Sequence, residues 1–207
     1  PVILMRICGH VAVANTVALR AAGITRDTPD PPNGRIGRED GEPDGLLYEG
    51  AVELVRSRVP LPGTGELAAR IRGRLAELAG YGVTEVHSMS VTAPELEALR
   101  FLESRGELPI RVRAYVAPEL MDREGPAQGE MLSVEGVKVF ADGSLGARTA
   151  YLREPYSDDP GNRGLELLTA GQLAEFIRTA NGRGLQLAVH AIGDAALENV
   201  LRAASPM

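Results

Sequence analysis

Several residue types are scarce in this chain, and each scarcity excludes a class of protein. The 207 residues include one cysteine, Cys8, so no disulfide forms within the chain, which favours a reducing, cytoplasmic location. No apolar run approaches the ~20 residues needed to cross a bilayer, so we expect no membrane partner. Lysine and arginine number 22 against 28 acidic residues, and the net charge of −6 argues against nucleic acid as a partner.

What is present indicates a globular chain cut from a longer one. Hydrophobic residues make up 44% and charged residues 24%, a balance that can bury a core. The chain opens with Pro1 in a strand-like run and ends just after a predicted helix, so we expect a fragment of a larger protein. Composition changes near residue 65: proline and glycine cluster at 26–45, which predicts a long irregular loop or hairpin.

After residue 65, helical and strand patterns alternate. Helices are predicted over 65–79, 93–104, 170–182 and 195–203, with Thr92, Thr169 and Asp194 as caps. Strands are predicted over 83–89, 110–116, 136–143 and 185–191. Strands separated by helices indicate an α/β chain with a parallel sheet, either doubly wound or part of a (β/α)8 barrel. No glycine-rich phosphate loop follows a strand, which disfavours the doubly wound nucleotide-binding fold.

A lysine lies inside the buried-looking strand "VKVFAD", and lysine is rarely buried without a partner or a chemical role. Three predicted strands have one apolar face and one face that carries polar residues. In a barrel the mixed face points inward, and residues near the carboxyl ends of the strands reach the mouth. Five polar side chains on these faces would then converge on one site: Lys138, Arg113, Tyr115, Asp142 and His190.

Three roles fit Lys138. Burial lowers the pKa of an amine, and the neutral amine can form a Schiff base with a carbonyl substrate. The same amine can take up carbon dioxide, and the carbamate can bridge two metal ions. The third role is an ion pair with a neighbour such as Asp142. His190 is either a metal ligand or a packed core residue, and the spacing alone does not decide among these roles.

Long ordered segments resemble a known family. "GVKVFADGSLGARTAYLREPYSDDPGNRGL" at 136–165 and "LQLAVHAIGDAALENVL" at 185–201 closely resemble the metal-dependent amidohydrolases of family 3. Residues 9–51, which begin "GHVAVANTVALRAAGI" and end "GEPDGLLYEGA", are similar to the same family. Its members hydrolyse N-acyl and formamide-type substrates, so the resemblance implies hydrolysis of a C–N bond in a small molecule.

The resemblance also implies a fold and a domain organisation. The whole protein would be a (β/α)8 barrel beside a small β-sandwich. Residues 1–64 would be an irregular N-terminal insertion, and 65–207 would be a partial TIM barrel with about strands 2 to 5. Unpaired strand edges in a partial barrel would favour a homo-oligomer.

Roles for individual residues follow from the same resemblance. Lys138 matches the strand-4 lysine that bridges two metal ions as a carboxylated lysine, and His190 matches the strand-5 histidine ligand. Both are therefore assigned as catalytic and metal-binding residues. His10, in the "GH" pair, either lines the substrate pocket or is structural. Arg113 and Asp142 are further candidates for substrate binding.

Glu49 and Asp194 also fall on family motifs, but we expect simpler roles for them. Glu49 matches an acidic position of the family, and we interpret it as a residue of a solvated loop. Asp194 lies in "IGD", and we interpret it as a helix cap rather than a catalytic residue.

Other expected ligands are missing from this chain. The strand-1 "HxH" pair, the strand-6 histidine and the strand-8 aspartate of the superfamily are absent, and a metal site usually needs three or four protein ligands. We expect the divalent metal of the whole protein to be zinc. The chain alone should bind it weakly or not at all. It would be inactive, with Lys138 uncarboxylated. Two alternatives remain: a Schiff-base aldolase or lyase that uses Lys138, and a non-catalytic partial barrel.

Overall fold

The computed structural model describes residues 1–60 and 62–205, and they form an α/β chain with two sheets. Contacts divide these residues into two units. The first unit comprises 1–60, 140–173 and 190–205, and the second comprises 62–139 and 174–189. The functional division after residue 64, into an insertion and a partial barrel, stays a prediction. The expectation that the N-terminal segment is irregular is wrong, because four strands within residues 3–49 form a sheet.

Four antiparallel strands form the sheet of the first unit, in the order β1-β2-β4-β3. Their bounds are Ile3–Met5 for β1, Val11–Ala14 for β2, Gly34–Glu39 for β3 and Glu42–Glu49 for β4. The turn between β3 and β4 consists of Asp40 and Gly41, and both residues have positive φ. Two-residue hairpin turns need this conformation, and they favour the sequence Asp-Gly for that reason. From residue 34 onward the predicted hairpin is therefore confirmed, whereas 26–33 contains neither helix nor strand.

Two short helices close the apolar core of this sheet. They are α1 (Thr16–Ala21), with Asn15 accepting a hydrogen bond from the Ala18 N–H, and α2 (Ala51–Arg56). The core is made of small and branched side chains: Ala12, Ala14, Ala18, Leu19, Ile24, Ile36, Leu47, Ala51, Val52 and Val55. Each of the larger aliphatic side chains in this core stabilises the fold by roughly 1.5–3 kcal/mol through its burial.

The second sheet is built around parallel strands. Its strands are β5 (Glu85–Val91), β6 (Arg111–Val116), β7 (Ala127–Gln128), β8 (Leu132–Phe140) and β9 (Gln186–His190). Strands β5, β6 and β8 run parallel, β7 is antiparallel to β8, and β9 also pairs with β8. The last residues of β8 and β9, Phe140 and His190, belong to the first unit.

The four longer helices lie where the sequence predicts them. They are α3 (Thr64–Gly80), α4 (Ala93–Ser104), α5 (Ala170–Gly182) and α6 (Asp194–Ala204). Thr92 and Glu95 form a capping box at the start of α4, and Thr169 accepts a hydrogen bond from the Gln172 N–H at the start of α5. Within the described residues, no helix is long and apolar enough to span a bilayer.

One connection differs from the predicted alternation of strands and helices. Between β6 and β8 the described chain contains a short 3-10 helix, Pro118–Leu120, and the two-residue strand β7 instead of an α-helix. Proline and glycine residues explain this, because Pro118, Gly125, Pro126 and Gly129 interrupt the segment before a helix could extend.

Candidate functional site

The first unit contains a buried pair of polar side chains from neighbouring strands. His10 directly precedes β2 and Glu49 ends β4, and because Val11 pairs with Tyr48 the two residues lie next to each other. The Glu49 N–H donates to the His10 carbonyl at 2.9 Å, and His10 Nδ1 lies 2.9 Å from Glu49 Oε2. The side chains are only 10% and 7% exposed. Our interpretation of Glu49 as a solvated-loop residue is therefore wrong.

The backbone of Glu49 is unusual for a residue with a side chain. Its φ is +49°, in the left-handed region, where a non-glycine residue costs about 1–2 kcal/mol. The cost is offset by the contacts that this conformation gives to the carboxylate. The most direct of these, besides His10, is a hydrogen bond of 2.6 Å from Thr149 Oγ1 to Glu49 Oε1.

The carboxylate of Glu49 is also enclosed by the loop that follows β8. The Ser144 N–H donates to Thr149 Oγ1 at 3.0 Å, which leaves the threonine proton for Glu49. A Cβ atom on Gly143 would lie 2.1 Å from both Glu49 Oε1 and Thr149 Oγ1. Glycine at 143 is therefore required for the loop to approach the carboxylate this closely.

His190 lies beside His10 in the same unit. Its ring centroid is 5.0 Å from that of His10 and 5.3 Å from that of Phe140. His190 Nε2 is 2.8 Å from the Gly143 carbonyl, which can only accept, so Nε2 carries the proton. In the neutral ring this leaves a lone pair on Nδ1, the arrangement in which metal-bound histidines are commonly oriented.

Asp142 is fully buried and already engaged. Its carboxylate accepts three backbone N–H bonds, from Tyr151 at 2.9 Å, Ile192 at 2.9 Å and Gly193 at 2.7 Å. These bonds hold two loops of the first unit together. Asp142 is 0% exposed, and its predicted role in substrate binding stays a prediction.

Asp194 joins the start of α6 to the backbone of Arg153. It is the first residue of α6 rather than its cap, which is Gly193, and its Oδ1 accepts from the Arg153 and Ala195 N–H groups. The hydrogen bond from Arg153 holds the pKa of Asp194 below its usual value.

Arg113 lies in the second unit, in a network of charged side chains. Its Nε is 3.1 Å from Glu85 Oε2, and its Nη1 is 3.2 Å from Glu135 Oε1 and 3.0 Å from Ser133 Oγ. Hydrogen bonds from Arg111 and Arg113 hold the pKa of Glu85 below its usual value. The guanidinium of Arg113 is thus already shared by two carboxylates, so its predicted contact with a substrate carboxylate stays a prediction.

Lys138 belongs to the second unit, on β8, between the buried Val137 and Val139. Partial burial lowers the pKa of its amine, which favours the neutral form. Its predicted convergence with His190 stays a prediction. In the described ranges, no group of three or more histidine, cysteine, aspartate or glutamate side chains is arranged to hold a metal ion. Lys138 and His190 have suitable donor atoms, and their predicted role as metal ligands stays a prediction, in which two residues would fall short of a complete site.

Sequence reasoning missed the contribution of Glu49 and Thr149, although one signal for Glu49 was present. In "GLLYE", Glu49 comes two residues after the buried Leu47, and the alternation of side chains along a strand places both on the same face of β4. Thr149 lies 100 residues from Glu49, and no local pattern indicates that contact.

Comparison with known proteins matches the described chain to one family over its whole length. The model of the amidohydrolase family matches residues 1–205. YtcJ of Bacillus subtilis, named as an amidohydrolase, is 37% identical over 212 residues, which cover 98% of this chain and 40% of YtcJ. The N-substituted formamide deformylase of Arthrobacter pascens is 25% identical over 224 residues, 98% of this chain and 40% of that enzyme.

A solved structure agrees with these relatives. The crystal structure of a metal-dependent hydrolase from Pyrococcus horikoshii matches with a TM-score of 0.78 and 37% identity, over 98% of this chain and 41% of that chain. The present chain therefore spans about 40% of the length of the relatives it matches.

Proposed function

Because the chain belongs to the amidohydrolase family, we propose that it is part of a metal-dependent enzyme that hydrolyses an amide, formamide or N-acyl C–N bond. The family match over residues 1–205 carries this proposal. The resemblance to an N-substituted formamide deformylase supports the bond type, and a small molecule is the substrate class that such a bond implies.

The proposed architecture is a part of a (β/α)8 barrel. The parallel order of β5, β6 and β8, together with the pairing of β9 to β8, supports an assignment to about barrel strands 2 to 5. Residues 65–207 would be the barrel portion and 1–64 an insertion into it. Copies of the chain would associate through unpaired sheet edges. We also propose that the protein acts in the cytoplasm.

We assign Lys138 and His190 as metal ligands, with the remaining ligands supplied from outside this chain. The proton on His190 Nε2 leaves Nδ1 for a metal, and the lowered pKa of Lys138 favours the amine form that carboxylation requires. A divalent ion, zinc in our proposal, would polarise the scissile carbonyl and acidify the attacking water. With only two ligands, the chain alone would bind metal weakly, carry an uncarboxylated Lys138 and be inactive.

His10 is assigned to substrate binding. Its ring lies 5.0 Å from that of His190, centroid to centroid, so a substrate held at His190 would be within reach of His10. Phe140, 6.1 Å from His10, supplies an apolar wall beside both rings. Together these residues orient the acyl-nitrogen group, while the three bonds to Asp142 hold the surrounding loops.

The test is hydrolysis of N-alkyl formamides and N-acyl amines by the protein produced from the complete reading frame. The proposal expects amine release that a chelator abolishes and that added Zn²⁺ or another divalent ion restores. Reduction with borohydride in the presence of a carbonyl substrate would instead label Lys138 in a Schiff-base enzyme. Metal-independent turnover with such a label would overturn the hydrolase proposal.

A further inference from the structure

We infer that Glu49 and Thr149 are positioning residues that act through His10: they fix its ring and make Nε2 the nitrogen offered to a substrate N–H. This inference deepens the proposed function and rests on it for the identity of the ligand. Its structural part concerns the first unit alone.

The hydrogen bonds from the loop after β8 to His10 run in one direction. The Ser144 N–H can only donate, so Thr149 Oγ1 accepts from it at 3.0 Å. The threonine proton then goes to Glu49 Oε1 at 2.6 Å, because its other acceptor, the Ser144 carbonyl, is at 3.4 Å. A carboxylate has no proton to give, so His10 Nδ1 must donate to Glu49 Oε2.

The same contacts lock the ring in place. Both side chains are nearly buried, and Gly143 leaves no free space beside the carboxylate. A half-turn of the His10 ring would set a carbon against Glu49 Oε2 and lose the hydrogen bond. A buried carboxylate without its partner is costly, so one ring orientation is strongly favoured.

The second ring nitrogen of His10, Nε2, is the one that we assign to a ligand. Because Nδ1 donates its proton to Glu49 Oε2, Nε2 of the neutral ring has a lone pair. Next to the scissile bond of a secondary amide or formamide, the donor is the N–H group. His10 therefore favours substrates that keep an N–H over tertiary amides that lack one.

The structure thus requires opposite tautomers in two adjacent histidines. His10 carries its proton on Nδ1 because of Glu49, whereas His190 carries it on Nε2 because of the Gly143 carbonyl. The chain has only three histidines, the third being His87, so their ring nitrogens can be assigned one by one. This feature gives a readout that needs neither metal nor turnover.

The experiment is ¹⁵N–¹H long-range NMR of the 207-residue chain at about pH 8.5, roughly two units above the usual imidazole pKa. The inference expects His10 as the Nδ1–H tautomer and His190 as the Nε2–H tautomer, with assignments from His→Gln variants. Thr149→Val should broaden or shift the His10 signals towards a mixture of tautomers, and Thr149→Ser should restore them. An Nε2–H tautomer for His10 in the unmodified chain overturns the inference.

A matched control tests whether the change in the His10 tautomer is specific to the bond between Thr149 and Glu49, and does not follow from losing a threonine–glutamate bond elsewhere. Thr64 Oγ1 donates to Glu97 Oε1 at 3.1 Å on the exposed surface of the second unit, so Thr64→Val removes a similar bond elsewhere. It should leave the His10 tautomer unchanged. If Thr64→Val and Thr149→Val alter the tautomer of His10 equally, the positioning of His10 by Thr149 and Glu49 is refuted.

The catalytic arm uses the complete protein and compares N-methylformamide with N,N-dimethylformamide. Thr149→Val should lower the preference in kcat/KM for the N–H substrate by about tenfold, the effect of one hydrogen bond, and Thr149→Ser should keep it. An unchanged preference overturns the substrate part of the inference. If no hydrolysis occurs at all, the proposed function fails. The NMR experiment still tests whether Thr149 and Glu49 set the tautomer of His10.

Discussion

His10 and Glu49 are 39 residues apart in sequence, yet their side chains form a buried pair with Nδ1 2.9 Å from Oε2. The pair joins the start of β2 to the end of β4, and Thr149 extends it to the loop after β8. Polar groups this well enclosed stabilise a fold only while each keeps its partner.

Removing the carboxylate should therefore destabilise the chain. Glu49→Ala leaves His10 Nδ1 and Thr149 Oγ1 without their acceptor, and we expect the free energy of unfolding to fall by about 1–3 kcal/mol. Urea denaturation followed by circular dichroism measures this. Glu53→Ala, on the exposed side of α2, is the matched control and should change the value by less than about 0.5 kcal/mol. Equal effects of the two variants would contradict the structural importance of the pair.

Gly143→Ala should disturb the same cluster by steric conflict. The new methyl group would lie 2.1 Å from Glu49 Oε1 and Thr149 Oγ1, so the loop or the carboxylate must move. We expect a loss of about 1–3 kcal/mol, the usual cost of overpacking. Gly161→Ala is the control, because a Cβ there meets nothing within 4 Å. A Gly143→Ala protein as stable as the control would show that the loop is not held against Glu49.

Asp142→Asn tests whether the buried carboxylate is structural. An amide oxygen replaces one carboxylate oxygen, but the amide NH₂ then faces a backbone N–H donor from Tyr151, Ile192 or Gly193. We expect a loss of about 2 kcal/mol or more. Asp158→Asn removes an exposed pair with Arg148 and should change the stability much less than Asp142→Asn does. A stable Asp142→Asn protein that binds substrate less well would instead support the predicted substrate role.

Glu85 gives a pH dependence whose sign is defined. Hydrogen bonds from Arg111 and Arg113 lower its pKa in the folded chain, so the unfolded chain binds more protons as the pH falls. The stabilisation is present above the usual glutamate pKa of about 4.3 and is lost as the pH drops through the lower folded value. In urea titrations at a series of pH values, Glu85→Gln should flatten the acid decline. High salt should reduce the difference between the two proteins. Parallel declines with and without Glu85 would contradict this.

The regular elements could be predicted from the sequence because they depend on local signals. Periodic apolar residues and the caps Thr92 and Thr169 place α4 and α5 correctly, and the parallel strands follow from the alternation. The connection between β6 and β8 was predicted less well, since proline and glycine outweigh the general βαβ rule there.

The candidate site was less predictable, because its contacts join distant positions. Nothing local indicates that Thr149 bonds to Glu49 or that Asp142 binds the N–H groups of Ile192 and Gly193. The family resemblance predicts His190 and Lys138 as ligands, which stays a prediction. The hydrogen bond to the Gly143 carbonyl adds the tautomer of His190, which no sequence pattern encodes.

The most direct measurement is the metal content of the protein produced from the complete reading frame, determined by mass spectrometry alongside formamide hydrolysis. Lys138→Met and His190→Ala should each lose bound divalent metal and activity, since both remove a proposed ligand. His87→Ala, whose side chain is 54% exposed beside Glu85, should keep both. Full metal content and full activity in either the Lys138 or the His190 variant would contradict the account.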